Sequence, residues 1–141
     1  MNPSEQDKAI LEQAYLEAIY QIDEPRMAMI PGVANEVLVD LLEYHRIDNW
    51  AVITADNPQS ELLPDDENLK RYQSLREEVE AMNRIALPGF GLDRHGQWPP
   101  ERNLLILGLS GEEAAALGRK YGQLAIVWGG PEGAGEVLWC Q

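Results

Sequence analysis

A chain of 141 residues with 45% hydrophobic and 25% charged residues can bury a core and has the composition of a folded globular protein. Its 24 acidic against 11 basic residues give a formal net charge of -13, which disfavours nucleic acid and anionic membrane surfaces because both are bound through Lys and Arg. The single cysteine excludes an internal disulfide. We expect a soluble, cytoplasmic protein whose acidity either keeps it in solution or steers a basic partner.

The first half of the chain predicts two helices and two short strands. Apolar residues at helical spacing predict a helix from about Ser4 to Gln21, with Ser4 as its cap. Arg26 to Ile30 is a candidate short strand, and a second amphipathic helix is expected from Val33 to His45. The β-branched, apolar run Trp50–Ala55 predicts the best strand of this half.

Beyond a turn at Asp56-Asn57-Pro58, a third helix is expected from Asp65 to about Asn83, with its apolar residues on one side. Leu87 to Leu92 could form another strand, and Asp93 to Gln97 has the composition of a tight turn.

The most informative stretch predicts a strand, a helix and a second strand. Asn103–Leu109 is a short apolar run, and Ser110 stands where an N-cap belongs, with Glu113 placed to complete a capping box. The helix should end near Lys120, and Leu124–Trp128 is a second apolar strand. We therefore predict a βαβ unit at residues 103–128.

These elements predict an α/β or α+β fold with helices packed on a mixed β-sheet. The expected domain is single and spans residues 1–141, with a helical leading segment, residues 1–45, packed on it. A final strand from Glu136 to Cys140 would close a hairpin and make the sheet mixed.

The sequence gives little support for nucleophilic catalysis, metal binding or a phosphate-binding loop. His45, His95 and Cys140 show neither a nucleophile motif nor zinc-ligand spacing. The acidic run at residues 65–67 could hold a cation but fits the first turn of a helix better. The glycine-rich run at residues 129–135 leads towards a strand, which favours a hairpin over a phosphate loop. We predict no metal and no cofactor.

One set of polar residues, scattered along the sequence, could bind a small polar ligand. Its members are Asn57, Ser60, Asn68, Arg71, Glu101 and Gln123. Asn57 and Ser60 follow the end of a strand, where ligands of open sheets bind, and Asn68 and Arg71 share one helical face. The alternative is structural: Asn57 forms a turn, Asn68 makes a local backbone bond, and Arg71 pairs with Glu101.

The order of four short motifs resembles a bacterial family known as domain of unknown function 3293. They are Thr54-Ala-Asp-Asn-Pro58 with Ser60, Asn68-Leu-Lys-Arg71, Leu107-Gly-Leu-Ser110 and Tyr121-Gly-Gln-Leu-Ala125. The resemblance covers about residues 50–139. It implies that Asn57, Asn68, Arg71, Glu101 and Gln123 belong to one pattern, and it implies no particular activity, cofactor or catalytic residue.

Two functions follow as hypotheses. The leading one is a non-catalytic binding or interaction protein, because the surface is acidic and acid–base or nucleophile motifs are absent from the sequence. The alternative is a small-ligand site, possibly enzymatic, in which Glu101 is the general base and is kept ionised by Arg71.

Overall fold

The computed structural model describes residues 4–140. Its helices are α1 (Glu5–Glu17), α2 (Glu36–His45), α3 (Asp65–Ala81) and α4 (Gly111–Lys120), with a short 3₁₀ helix at Pro58–Ser60. Its strands are β1 (Ile19–Ile22), β2 (Met27–Met29), β3 (Trp50–Thr54), β4 (Ile85–Leu92), β5 (Glu101–Leu107), β6 (Ala125–Gly129) and β7 (Gly135–Trp139). None of the helices in this part of the chain is long and apolar enough to cross a membrane.

The seven strands form one sheet in the order β2-β1-β4-β5-β3-β6-β7. Each pair of neighbours in this order runs antiparallel. The longest pairing joins β4 and β5 over seven residues, from Ile85 opposite Leu107 to Gly91 opposite Glu101. The strands β5 and β3 lie in the middle of the sheet, and most of their residues are buried.

Helices cover both faces of the sheet, because successive residues of a strand point to opposite sides. On one face, Ile53 and Ile106 pack with Leu75 of α3 and Leu117 of α4. The other face carries Trp50, Val52, Leu105 and Leu107, which pack with Leu38 and Leu42 of α2. Tyr15 and Ala18, at the end of α1, also lie against this second face.

The predicted α+β class is confirmed, and the predicted unit at residues 103–128 forms with one difference. Ser110 and Glu113 make the expected capping box at the start of α4. The strands β5 and β6 run parallel to each other, since both are antiparallel to β3, but β3 lies between them. The crossover helix α4 therefore spans a strand, and the sheet is antiparallel rather than mixed.

The predicted first helix was too long. Helix α1 ends at Glu17, and Ala18 already has extended backbone angles. Residues Ile19–Ile22 form β1, in which Tyr20 and Ile22 are buried and Gln21 is exposed. Ile19 and Ile22 have helical spacing, whereas Tyr20 and Ile22 have the alternate spacing of a strand. The strand forms because β4 offers Gly89–Leu92 as a hydrogen-bonding partner.

Replacing Gly118 by Ala should destabilise the protein. A Cβ at this position would lie 2.7 Å from Cys140 Sγ and 2.8 Å from Ile126 Cγ2. Overpacking of this kind costs about 1–3 kcal/mol, against a gain of about 1 kcal/mol in helix propensity. We expect a net loss of up to about 2 kcal/mol in the free energy of unfolding, measured by urea denaturation.

Gly111→Ala is the matched control, because it lies in the same helix and its added Cβ would meet only ordinary contacts at 3.6 Å and beyond. We expect it to be neutral or slightly stabilising. Equal stability of the two variants would contradict close packing between α4 and the sheet.

Candidate functional site

A pair of carboxamides holds the turn that follows β3. Asn57 has left-handed backbone angles (φ 49°, ψ 60°), which asparagine tolerates better than most residues. Its backbone N–H donates to Asn68 Oδ1 at 2.9 Å, and Asn68 Nδ2 donates to Asn57 Oδ1 at 2.8 Å. Asn57 Oδ1 also accepts the backbone N–H of Leu63 at 3.0 Å. Both asparagines are buried, so this pairing fixes the turn against α3.

The same turn is tied to the segment between α4 and β6. Arg71 Nε donates to the carbonyl of Ala55 at 2.6 Å, and its Nη2 donates to the carbonyl of Tyr121. Gln123 Nε2 donates to the carbonyl of Asp56 at 3.0 Å. These side chains connect three separate parts of the chain just beyond the C-terminal end of β3.

The turn also contains unusual backbone geometry. Gln59 and Ser60 both have positive φ values, of 57° and 59°. Such angles are costly for residues other than glycine and persist only where neighbours enforce them. Here Gln59 donates to the carbonyl of Gly122 through both its backbone N–H (2.8 Å) and its side-chain amide (2.9 Å).

A cavity of about 480 Å³ lies between α1 and the sheet face that carries Val52. On β4, a glycine lets the side chains of neighbouring strands approach the backbone. Gly91, which lines the cavity, pairs with Glu101, and the amide of Asn103 occupies the space beside it. The apolar core under α2 thus continues into an open chamber under α1.

The cavity wall combines apolar, aromatic and polar side chains. Its aromatic members are Tyr15, Tyr20 and Trp98. Its hydrogen-bonding side chains, apart from these, are Gln13, Glu17, Thr54, Asn57, Ser60, Asp93, His95, Gln97, Glu101, Asn103 and Gln123. Burial raises the pKa of both Tyr15 and Tyr20, so both phenols stay protonated near neutral pH.

Glu101 is the carboxylate that lies deepest in this wall. Asn57 Nδ2 donates to its Oε2 at 2.8 Å, and Trp98 Nε1 donates to the same oxygen at 3.2 Å. Burial raises the pKa of Glu101, the two hydrogen bonds oppose that rise, and the nearby charge of Asp56 adds to it. Desolvation prevails. The group can therefore exchange a proton at a higher pH than an ordinary glutamate.

Asn103 lies two residues along the same strand, on the same side of the sheet as Glu101. Its side chain lines the cavity, is 2% exposed, and its Oδ1 has no hydrogen-bond partner within residues 4–140. An unpaired polar atom in such a place is uncommon in folded proteins and indicates a position for a ligand or an ordered water.

The structure brings the six predicted site residues together but gives them two roles. Asn57, Ser60, Glu101 and Gln123 line the cavity. Asn68 and Arg71 lie behind this wall and hold the turn in place. The expected pairing of Arg71 with Glu101 was wrong, because the guanidinium is used on two backbone carbonyls. The pKa of Glu101 is accordingly raised, where a partner arginine would have lowered it.

Several wall residues were not among the sequence candidates. The clearest omission is Asn103, which stands at alternate spacing from Glu101 at the start of an apolar strand; this spacing is a signal that the sequence does contain. Tyr15, Tyr20 and Trp98 come from three separate segments, and their convergence depends on the pairing of β1 with β4. The residues described here include no cluster of three or more His, Cys, Asp or Glu arranged to hold a metal.

Comparison with known families agrees with the motifs that build this site. The family described as "Protein of unknown function (DUF3293)" matches residues 53–126, more than half of the chain. The chain belongs to the DUF3293 family. The match is shorter than the resemblance at residues 50–139, and it contains every one of the six predicted site residues. No curated protein and no solved structure matches the chain.

Replacing Asn68 by Ala should destabilise the fold of this DUF3293 protein. The change removes both partners that Asn57 finds in the Asn68 side chain and leaves a buried N–H unpaired. The unpaired N–H costs about 1–3 kcal/mol and the second lost hydrogen bond about 1 kcal/mol, so we expect the free energy of unfolding to fall by about 2–4 kcal/mol in urea denaturation. Gln73→Ala, at an exposed position of the same helix, should change it by less than about 0.5 kcal/mol.

The raised pKa of Glu101 predicts a pH-dependent effect of Glu101→Gln. Because the folded state favours the protonated carboxyl, this group's stabilising contribution is present below its ordinary pKa of 4.5 and is lost as the pH rises through the raised value. The glutamine variant should therefore gain stability relative to wild type between about pH 4 and about pH 7. Urea denaturation at both pH values measures this.

Glu132→Gln removes one negative charge from an exposed loop and is the control for the change in net charge. Its difference from wild type should be nearly the same at both pH values. A Glu101→Gln variant that loses relative stability as the pH rises would contradict the desolvation of this carboxyl.

Proposed function

We propose that this protein binds a small organic molecule in the cavity between α1 and the sheet. The observation that carries the proposal is the cavity itself, with the partly buried Glu101 and the buried Asn103 on the same face of β5 in its wall. Its volume of about 480 Å³ falls within the range of about 300–1,000 Å³ typical of ligand sites. A few convergent polar groups in a largely apolar wall are also typical of such sites.

The covering helix supports the same proposal. No residue of helix α1 is fully buried, and its end is attached through the partly buried Tyr15 and a few specific contacts rather than through a broad apolar face. Tyr15 donates its hydroxyl to the carbonyl of Ala125 at 2.9 Å, and Glu17 pairs with His95 across the cavity rim. A helix held in this way can move aside at modest cost and admit a ligand.

Acid–base catalysis by Glu101 is a second candidate, favoured by one observation. A carboxyl group whose pKa is raised by burial within a cavity is a common property of general acids and bases. In that reading the ligand is a substrate, and Glu101 exchanges a proton with it while Asn57 and Trp98 hold the carboxyl in place.

The other functional predictions are separate proposals. A protein partner was predicted from the acidic surface. Cytoplasmic localisation and the absence of nucleic-acid binding were predicted from the composition. Each stays a prediction. The exposed large apolar side chains occur on several elements, among them Ile10, Tyr44, Leu62 and Phe90. The cavity offers a more specific basis for a function than these dispersed residues do.

Filling the cavity tests the proposed function. Ala14 lines the cavity from α1, whereas Ala9 is exposed on the same helix and does not. We expect naphthylmethanol, a neutral probe with an apolar body, to shift the backbone amide NMR signals of the cavity wall in wild type. Ala14→Phe should weaken the apparent affinity about tenfold, which is about 1.4 kcal/mol, because the new ring occupies the ligand's space.

Ala9→Phe is the matched control and should bind the probe as wild type does. Thermal melts of both variants establish that they are folded. Wild-type protein that shows no shifts at millimolar probe, or an Ala14→Phe variant that binds unchanged, would overturn the cavity as the binding site.

A further inference from the structure

The charged side chains of the cavity wall are mostly acidic. Three carboxylates line it, those of Glu17, Asp93 and Glu101, and His95 is the sole basic residue among the described residues of the wall. An anionic ligand would meet these carboxylates without a Lys or Arg to bind it. This distribution favours a ligand that donates hydrogen bonds or carries a positive charge.

Two of the three carboxylates already have partners. Asp93 accepts backbone N–H groups of His95 (3.0 Å), Gln97 (2.8 Å) and Trp98 (2.9 Å), and so caps its own turn. Glu17 pairs with the His95 ring at the rim. Neither has a structural need for a ligand.

Glu101 differs from both. Its two hydrogen bonds come from neutral donors, Asn57 and Trp98, and both engage Oε2. The arginines nearest in sequence and in the site are used elsewhere: Arg71 binds two backbone carbonyls, and Arg102 pairs with Asp65 at 2.9 Å and also lies near Asp56. Within residues 4–140, Glu101 thus has no cationic partner.

A second acceptor stands beside this carboxylate. Asn103 lies on the same face of β5, is almost fully buried in the cavity wall, and has an unpaired Oδ1. An ammonium group has three N–H donors and can bind a carboxylate and a carboxamide oxygen at once. Tyr15, Tyr20 and Trp98 contribute aromatic surface to the same cavity, which suits both a cation and an attached apolar body.

We propose that the ligand is an organic cation, a protonated amine on an apolar body, whose ammonium group binds Glu101 and Asn103. This inference rests on the proposed function and names its ligand class. The apolar body occupies the chamber under α1, and the charge of the ligand supplies the counter-ion that Glu101 lacks. A carboxylate or phosphate ligand is excluded by the same charge distribution.

Three probes of the same shape and different charge test the class. They are naphthylmethylamine, naphthylmethanol and naphthoate, titrated into the folded protein near neutral pH and low ionic strength by calorimetry. In wild type we expect the amine to bind about 10- to 100-fold tighter than the alcohol, the range that corresponds to one charged hydrogen-bonded contact. Naphthoate should bind most weakly of the three.

Two glutamine variants locate the effect. Glu101→Gln keeps an oxygen for Asn57 and Trp98 but removes the charge, so it should reduce the preference for amine over alcohol to within about threefold. Glu132→Gln, which changes the net charge equally, should retain the wild-type preference.

The outcomes separate the two proposals. If wild type binds the alcohol as tightly as the amine, the cation inference is overturned, but the cavity remains a binding site. The same conclusion follows if the preference for the amine survives in Glu101→Gln. Absence of binding by all three probes at millimolar concentration overturns the proposed function itself. The wild-type ratio of affinities decides the ligand class even if a variant does not fold.

Discussion

The reciprocal hydrogen bonds between Asn57 and Asn68 are the constraint on which the site depends. Asn57 adopts a left-handed conformation where the chain leaves β3, and its backbone N–H and side-chain oxygen both need partners because they are buried. Asn68, on α3, satisfies both. The remaining Nδ2 of Asn57 then points to Glu101. One asparagine pair therefore fixes the turn, orients a helix against it and positions the buried carboxyl.

The cavity results from space left open in an otherwise close-packed sheet. At Gly91 on β4, the side chains of Asn103 and Tyr20 approach the backbone, and α1 spans the opening with none of its residues fully buried. Polar residues Thr54, Glu101 and Asn103 occupy positions that continue the apolar row of Val52, Leu105 and Leu107 on the same sheet face. The result is a chamber whose apolar wall places a desolvated carboxylate where a ligand can reach it.

The residues that match the DUF3293 family form one side of this chamber. The matched residues 53–126 contain the asparagine pair, Arg71, Gln123, and Glu101 and Asn103 of β5. The covering helix α1 lies outside the matched range. The framework and the buried carboxyl thus belong to the part of the chain that defines the family, whereas the size and opening of the chamber also depend on the leading segment.

The sequence by itself determined the α4 unit with its capping box, the helix α3 and the final hairpin, because each depends on spacing, turn residues or a cap that neighbouring residues carry. Only the tertiary structure decided that Ile19–Ile22 is a strand, that β3 separates β5 from β6, and that Arg71 binds carbonyls while Glu101 lacks a counter-ion. These outcomes depend on strand partners and carbonyl groups far apart in the chain. Local periodicity does not encode them, since one apolar pattern fits either a helix or a strand until a partner is present.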